Sequence, residues 1–237
     1  FRRAAILAGD GVRVDWRAVE HAPWTPTRND DRRARFEELH AEIEKVMGRL
    51  LPDEQLPYDL SGFAPGTRCA VTAYAEAYAA GADSAARKVI FEAFWMHGLD
   101  IADPAVLQTL LVDELRGGAS RSEMVREWGM AVDRTGGAIS SDAWRLVRDW
   151  SASWLGEGKQ VVPIVHPSGR RPVFGVDAVD WLGEAIAVRG LEFELPPAVE
   201  REAPSCRELP YLGWVSENGG RWLPRCQQHF KHAGRKE

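Results

Sequence analysis

Cysteine is scarce in this chain, whose 237 residues contain three, at positions 69, 206 and 226. An odd number of widely spaced cysteines is not the pattern of a secreted disulfide framework. No stretch reaches the roughly 18 apolar residues that a membrane-spanning helix needs. We therefore predict a cytoplasmic protein that does not associate with membranes.

The chain also has no excess of basic over acidic residues. The net charge of -5 provides no electrostatic basis for binding nucleic acid, so we predict no nucleic-acid partner. The chain also has no phosphate-binding glycine loop, no G-x-S-x-G and no H-E-x-x-H. These absences argue against the nucleotide-binding, serine hydrolase and zinc metalloprotease classes.

The most informative segment is a β-branched run, residues 161–165, that contains Pro163. Proline has no N–H for a strand ladder, so in a sheet it is found at an edge, at a bulge or at the start of a strand. A cis bond before it is another solution, because X-Pro bonds favour trans by only about 0.5–1 kcal/mol. We predict that the Val162–Pro163 peptide bond is cis.

A hairpin and a helix are predicted after this run. Residues 167–171 are rich in turn-forming types, and residues 172–174 indicate a short second strand. Apolar residues at spacings of three and four predict a helix over residues 176–188, with Asp177 as its cap and Gly190 as its stop.

The N-terminal residues predict a helix followed by a strand. Residues 1–9 indicate a helix, with Phe1, Ala5 and Ala8 on one face and Gly9 as its stop. Residues 11–19 alternate between apolar and charged types, which predicts a strand with one buried face.

Between these two regions the chain predicts a block of helices. Asp103 and Pro104 form a helix start signal, and Ser120 with Glu123 matches a capping box. Cys69 lies in an alanine-rich helix and is predicted to be a small buried side chain. The predicted helices cover residues 30–51, 67–80, 83–98, 103–116, a segment from 120 onward, and 140–155.

The order of these elements resembles a known family. The segment from Lys88 to Leu107, KVIFEAFWMHGLDIADPAVL, is similar to a characteristic segment of the DsbA-like family, which also contains 2-hydroxychromene-2-carboxylate isomerases and kappa-class glutathione transferases. The preceding alanine-rich helix and Val162–Pro163 fall where that family has a helix and a cis proline. The resemblance covers roughly residues 1–190. It implies an α/β fold, a thioredoxin-like sheet with a large all-helical insertion.

The resemblance also implies a domain organisation. Residues 1–28 and 159–190 would form a discontinuous thioredoxin-like domain that is incomplete at its N-terminal side. Residues 29–158 would be the helical insertion domain, and residues 191–237 a C-terminal extension.

The activity that the resemblance implies is thiol–disulfide exchange. A C-x-x-C motif, or a serine or cysteine in its place, is expected upstream of residue 1, so this chain holds no catalytic residue of its own. Val162 and Pro163 would bind substrate through the backbone of Val162. No cofactor is expected, and the partners would be a protein or small-molecule thiol or disulfide and, as an open alternative, a second copy in a homodimer.

Two other functions remain open on the same fold. One is an isomerase or transferase in which a serine or cysteine activates glutathione or another low-molecular-weight thiol as cofactor. The other is a non-catalytic binding protein that uses the groove beside the cis proline.

The C-terminal extension holds the remaining candidates for chemistry. Cys206, Cys226, His229 and His232 are ligand types that zinc accepts. Three of them are spaced three residues apart, which spreads them around a helix. We predict free cysteines and no metal, with zinc and a Cys206–Cys226 disulfide as alternatives. His166, after the β-branched run, is interpreted as a solvated side chain.

Overall fold

The computed structural model describes residues 2–21, 65–158, 162–191, 214–217 and 221–224, together with positions 34, 37, 38, 41, 44, 45 and 49. The chain divides into two compact units. The first unit comprises residues 1–17, 37–56 and 152–200, and the second comprises residues 18–36, 57–151 and 201–237.

The described residues are mostly helical. The helices are α1 (Arg2–Gly9), α2 (Arg68–Ala80), α3 (Asp83–Trp95), α4 (Pro104–Leu115), α5 (Glu123–Arg126), α6 (Ser141–Gly156) and α7 (Gly175–Val188). The strands are β1 (Ile164–Val165), β2 (Val173–Phe174), β3 (Trp214–Glu217) and β4 (Arg221–Pro224). Two antiparallel hairpins, β1–β2 and β3–β4, are the sheets present in this part of the chain.

In the first unit, α1 and the β1–β2 hairpin both pack against α7. In the β1–β2 hairpin, Ile164 pairs with Phe174 and Val165 pairs with Val173. This antiparallel pairing agrees with the turn predicted between the two strands. The buried residues of α1 are Ala4 and Leu7. Of the face predicted for this helix, Ala5 and Ala8 are exposed and Phe1 lies outside the described residues, so the predicted face was wrong for the residues that are described.

Polar contacts also join α1 to α7. Arg3 Nη1 donates to the carbonyl of Val179 at 2.7 Å, and Arg3 Nη2 donates to the carbonyl of Arg49. Arg49 in turn contacts the Asp180 carboxylate through Nε, at 3.0 and 3.1 Å. A Cβ at Gly183 would come within 3.0 Å of Arg3 Nη1, so the glycine leaves room for this guanidinium.

The predicted strand over residues 11–19 is not formed. Residues 12–20 take no strand or helix, although their exposure alternates as predicted, with Val12, Val14 and Trp16 half-buried. The pattern therefore assigned side chains to the correct faces, but a strand also needs a ladder partner, which is a tertiary property. In the described residues, the sheet expected from residues 1–28 and 159–190 consists of β1 and β2 alone.

In the second unit, α2 is the central helix and packs against α3, α4 and α5. Its alanines Ala73, Ala75 and Ala77 are fully buried, which allows the neighbouring helices to approach closely. The core is completed from α4, whose Leu107, Leu111 and Leu115 follow the spacing of four that places residues on one face.

Of the helix caps predicted at Asp103, Ser120 and Asp177, the first is confirmed and the other two are wrong. Asp103 caps α4 as expected, since its Oδ1 accepts from the Ala105 N–H at 2.9 Å. The Ser120 capping box was wrong, because α5 begins after Ser122 and Ser120 Oγ accepts from the Ser122 N–H instead. The Asp177 cap was wrong as well: α7 begins at Gly175, two residues earlier.

A buried carboxylate lies between α2 and the start of α6. Glu76 is 0% exposed, and its Oε1 accepts from the backbone N–H groups of Ile139 and Ser140 at 2.6 and 2.7 Å. Burial raises the pKa of Glu76 above its usual 4.5, against the lowering effect of these hydrogen bonds. Ser140 Oγ accepts from the Ala143 N–H, so the same residue caps α6.

This raised pKa predicts a specific pH dependence. The folded state holds the Glu76 proton more tightly than the unfolded state, so the contribution of this carboxyl to stability is largest below about pH 4.5 and falls as pH rises through the folded-state pKa. We expect the free energy of unfolding of the wild type, minus that of Glu76→Gln, to decrease over this interval. Urea titrations from pH 4 to pH 8 measure it, and a difference that rises with pH would contradict the assignment.

Candidate functional site at Val162 and Pro163

The predicted substrate-binding pair lies at the entrance to the β1–β2 hairpin. The Val162–Pro163 peptide bond is cis, as predicted from the sequence. Pro163 is exposed and Val162 is half-buried. The pair therefore lies at the surface of the first unit, one residue before β1 begins.

The two backbone units of this pair are used differently. The Pro163 carbonyl accepts a hydrogen bond from the Gly175 N–H at 2.8 Å, which ties the entrance of β1 to the first residue of α7. Within the described residues, the Val162 N–H and C=O have no hydrogen-bond partner. An unpaired backbone unit at a hairpin edge can pair with an extended chain, the general mode of β-strand addition.

A histidine–carboxylate contact joins residues on either side of Val162 in the sequence. Glu157 directly follows α6, His166 directly follows β1, and His166 Nε2 lies 3.3 Å from Glu157 Oε1. The Glu157 side chain is 21% exposed and the His166 side chain 53%. The histidine is thus solvated, as predicted, but it also contacts a carboxylate that nothing in the sequence spacing would have indicated.

Cys69 lies in the second unit. It is half-buried rather than buried as predicted, and its Sγ occupies the space where a Cβ of Gly136 would lie. Burial raises the pKa of the Cys69 thiol above 9.0, and the carboxylates Asp100, Asp103 and Asp133 raise it further, against a lowering by Arg68. A thiol with a raised pKa is a poor nucleophile at neutral pH, because the thiolate is the reactive form.

The loop beside Cys69 is ordered by one carboxylate. Asp133 Oδ1 accepts from the Thr135 N–H and hydroxyl, both at 2.7 Å, and from the Gly137 N–H at 2.8 Å. These hydrogen bonds lower the pKa of Asp133. The oxygen is therefore committed to the turn and is a structural group.

The thiol environment leads to a prediction about reactivity. In a Cys206→Ser, Cys226→Ser variant, where Cys69 is the only thiol, we expect alkylation by iodoacetamide at pH 8 to be at least about tenfold slower in the folded protein than in urea, because burial disfavours the thiolate. We also expect insulin-disulfide reduction at the rate of buffer alone. Equal alkylation rates in the two states would contradict the prediction.

The weak metal candidates Cys206, Cys226, His229 and His232 lie outside the described residues. Among the residues that the structure does describe, no group of three or more His, Cys, Asp or Glu side chains could hold a metal ion. The β3–β4 hairpin, which pairs Trp214 with Pro224 and Glu217 with Arg221, was not predicted in the C-terminal extension.

Sequence reasoning missed two of the groups described above. Glu76 lies on α2 and Glu157 directly follows α6, and sequence alone assigns such acidic residues to solvated surfaces. The sequence contained one weak indication that Glu76 is buried: it lies among the apolar residues of an alanine-rich helix.

No described helix is long and apolar enough to cross a membrane. Comparison of the chain with protein-family models, with curated proteins and with solved structures gives no match in any of the three.

Proposed function

We propose that this chain belongs to a DsbA-like thiol–disulfide oxidoreductase that works in the cytoplasm and has a thioredoxin-like fold with a helical insertion. The observation that carries the proposal is the arrangement of the first unit. Here α1 and the β1–β2 hairpin pack on α7, and the Val162 backbone at the hairpin entrance has no hydrogen-bond partner among the residues that the structure describes. The proposal takes the β1–β2 hairpin and α7 as the C-terminal half of a thioredoxin-like domain and α1 as the end of its first helix.

The proposed reaction assigns Val162 to substrate binding. An extended substrate segment pairs with the Val162 N–H and C=O, and Pro163 stands beside the reacting sulfur. The catalytic thiolate, supplied by residues upstream of Phe1 at the start of the helix that α1 continues, attacks one sulfur of the substrate disulfide. A mixed disulfide forms while the other substrate sulfur leaves as a thiolate. The N-terminal end of that helix favours the thiolate, because its unpaired N–H groups carry partial positive charge.

The same site suits a binding function without catalysis. The observation that favours it is the environment of Cys69, the cysteine that the structure describes, whose raised pKa suits no role as a nucleophile. A third alternative, an isomerase or transferase that uses glutathione, differs in having a serine or a single cysteine upstream in place of C-x-x-C. These alternatives differ in the upstream residues and share the Val162 edge.

The test uses the longest natural reading frame that contains this chain. We expect it to accelerate insulin reduction by glutathione, and to lose this activity when the first upstream cysteine is replaced by serine. Cys69→Ser is the matched control and should retain full activity. An upstream sequence with neither cysteine nor serine, or activity that depends on Cys69, would overturn the proposed function.

A further inference from the structure

The second unit carries an open groove of about 520 Å³ on its surface. The groove lies between the C-terminal end of α2, the connection that follows α4, and one face of α6. Every residue that lines it falls within residues 78–149, all of which the structure describes. Its volume is in the range of roughly 300–1,000 Å³ that small-molecule sites in proteins have.

The walls of this groove are held in place by contacts within the second unit. The Ala119 N–H donates to the carbonyl of Ala80 at 2.8 Å, which ties the connection after α4 to the end of α2. The Tyr78 ring packs edge-on against Trp150, with 5.4 Å between the ring centroids. The groove is therefore formed without a ligand, so binding would require little rearrangement of its walls.

The apolar part of the lining comes from Tyr78, Ala79, Ala119 and Leu146. Tyr78 and Leu146 are half-buried, so each presents part of its apolar surface to the groove. The two alanines have small side chains and leave the space between α2 and α6 unfilled. An apolar group placed here would remove this surface from water, which favours binding.

The charged part of the lining leaves one cation unpaired. Asp142 pairs with Arg145 Nη1 at 3.1 Å, and Asp149 pairs with Arg148 Nη2 at 3.0 Å. Arg121, which also lines the groove and is exposed, has no hydrogen bond or ion pair with any residue that the structure describes. A guanidinium can hold a carboxylate through two parallel hydrogen bonds. The two aspartates in the same lining disfavour a ligand with a double negative charge.

We propose that this groove binds a small ionised carboxylic acid with an apolar body. Arg121 binds the carboxylate, and the apolar body lies against Tyr78 and Leu146. All of these residues belong to the second unit, whereas Val162 and Pro163 belong to the first, so this site does not depend on the proposed function.

The experiment is a titration of the ¹⁵N-labelled full chain with sodium octanoate at pH 7, followed by amide chemical shifts. We expect a dissociation constant of roughly 1–10 mM, the range for a ligand of this size. The shift changes should be concentrated at residues 78, 79, 119, 121, 145 and 146. Octanamide has the same apolar body without the charge, and should bind at least about fivefold more weakly.

Three variants test the assigned contacts. Arg121→Gln should weaken octanoate binding at least about fivefold and leave octanamide binding unchanged. Arg134→Gln removes another exposed arginine, which lies outside the groove, and should leave both affinities unchanged. Ala119→Leu places a larger side chain in the groove and should weaken the binding of both ligands.

The proposal is overturned by any of three results. Octanoate may cause no shift changes at these residues, octanamide may bind as tightly as octanoate, or Arg121→Gln may bind octanoate with the affinity of the wild type. The amide spectrum of each variant reports its fold in the same measurement, so a loss of binding in a folded variant is assigned to the replaced side chain.

Discussion

Replacing Glu76 with alanine is expected to lower the free energy of unfolding by about 2–4 kcal/mol. The carboxylate is fully buried, and one oxygen accepts from both the Ile139 and the Ser140 N–H. Each buried N–H that loses its acceptor costs about 1–3 kcal/mol. Part of that loss is offset, because burying the charged carboxylate is itself unfavourable, as its raised pKa shows. The measurement is a urea titration followed by tryptophan fluorescence, with the buried Trp150 as a probe in the same unit.

Two variants decide whether the loss arises from the hydrogen bonds. Glu76→Gln keeps an acceptor oxygen, so we expect a smaller loss of about 1 kcal/mol. Glu114, also acidic and helical but exposed, should change stability by less than about 0.5 kcal/mol when replaced by alanine. If Glu76→Ala were as mild as Glu114→Ala, the contact with residues 139 and 140 would not contribute to stability.

Replacing Gly129 with alanine is expected to destabilise the second unit by about 2–5 kcal/mol. Gly129 has a φ of 64°, and left-handed backbone costs an L-residue about 1–2 kcal/mol. A Cβ here would collide with the carbonyl oxygen of Val112 and lie 2.9 Å from its Cγ2. Overpacking of this kind adds about 1–3 kcal/mol. The backbone cannot shift easily, because the Gly129 N–H donates to the Val125 carbonyl at 2.8 Å and Gln108 Nε2 donates to the Gly129 carbonyl at 2.9 Å.

Gly117 provides the matched control. Its φ is 80°, but a Cβ there would meet no atom within 4 Å. Gly117→Ala should therefore cost only the conformational term, about 1–2 kcal/mol. Thermal or urea unfolding of the two variants measures the steric part as their difference. Equal losses in both variants would show that the contact with Val112 is relieved by local movement.

Local patterns predicted most of the elements. Apolar spacing and alanine content identified α2, α3, α4 and α6 within a few residues, because periodicity is a property of the segment itself. The proline in the β-branched run indicated the hairpin entrance and the cis bond before it, because both follow from one residue lacking an N–H. The helix stop at Gly190 is confirmed by its φ of 61°.

Burial and pairing could not be predicted in this way. The face of α1 depends on what α7 presents to it, and the strand over residues 11–19 depends on a ladder partner elsewhere in the chain. Gly136, 67 residues later, lies against the Cys69 sulfur, and no spacing near Cys69 indicates this contact. The helix predicted over residues 30–51 lies largely outside the described residues, although positions 34, 37, 38, 41, 44 and 45 are helical and exposed.

The sequence by itself determined which segments form most of the described helices, where the β1–β2 turn lies, and which proline interrupts the β-branched run. These properties depend on interactions within a few residues of each other. Only the tertiary structure decided that Glu76 is buried against residues 139 and 140, that Glu157 meets His166, and that the Val162 backbone lies open. The first two contacts depend on how separate segments pack together. The third depends on which backbone groups are left unpaired after the neighbouring elements have packed. The spacing of residues in the sequence does not contain this information.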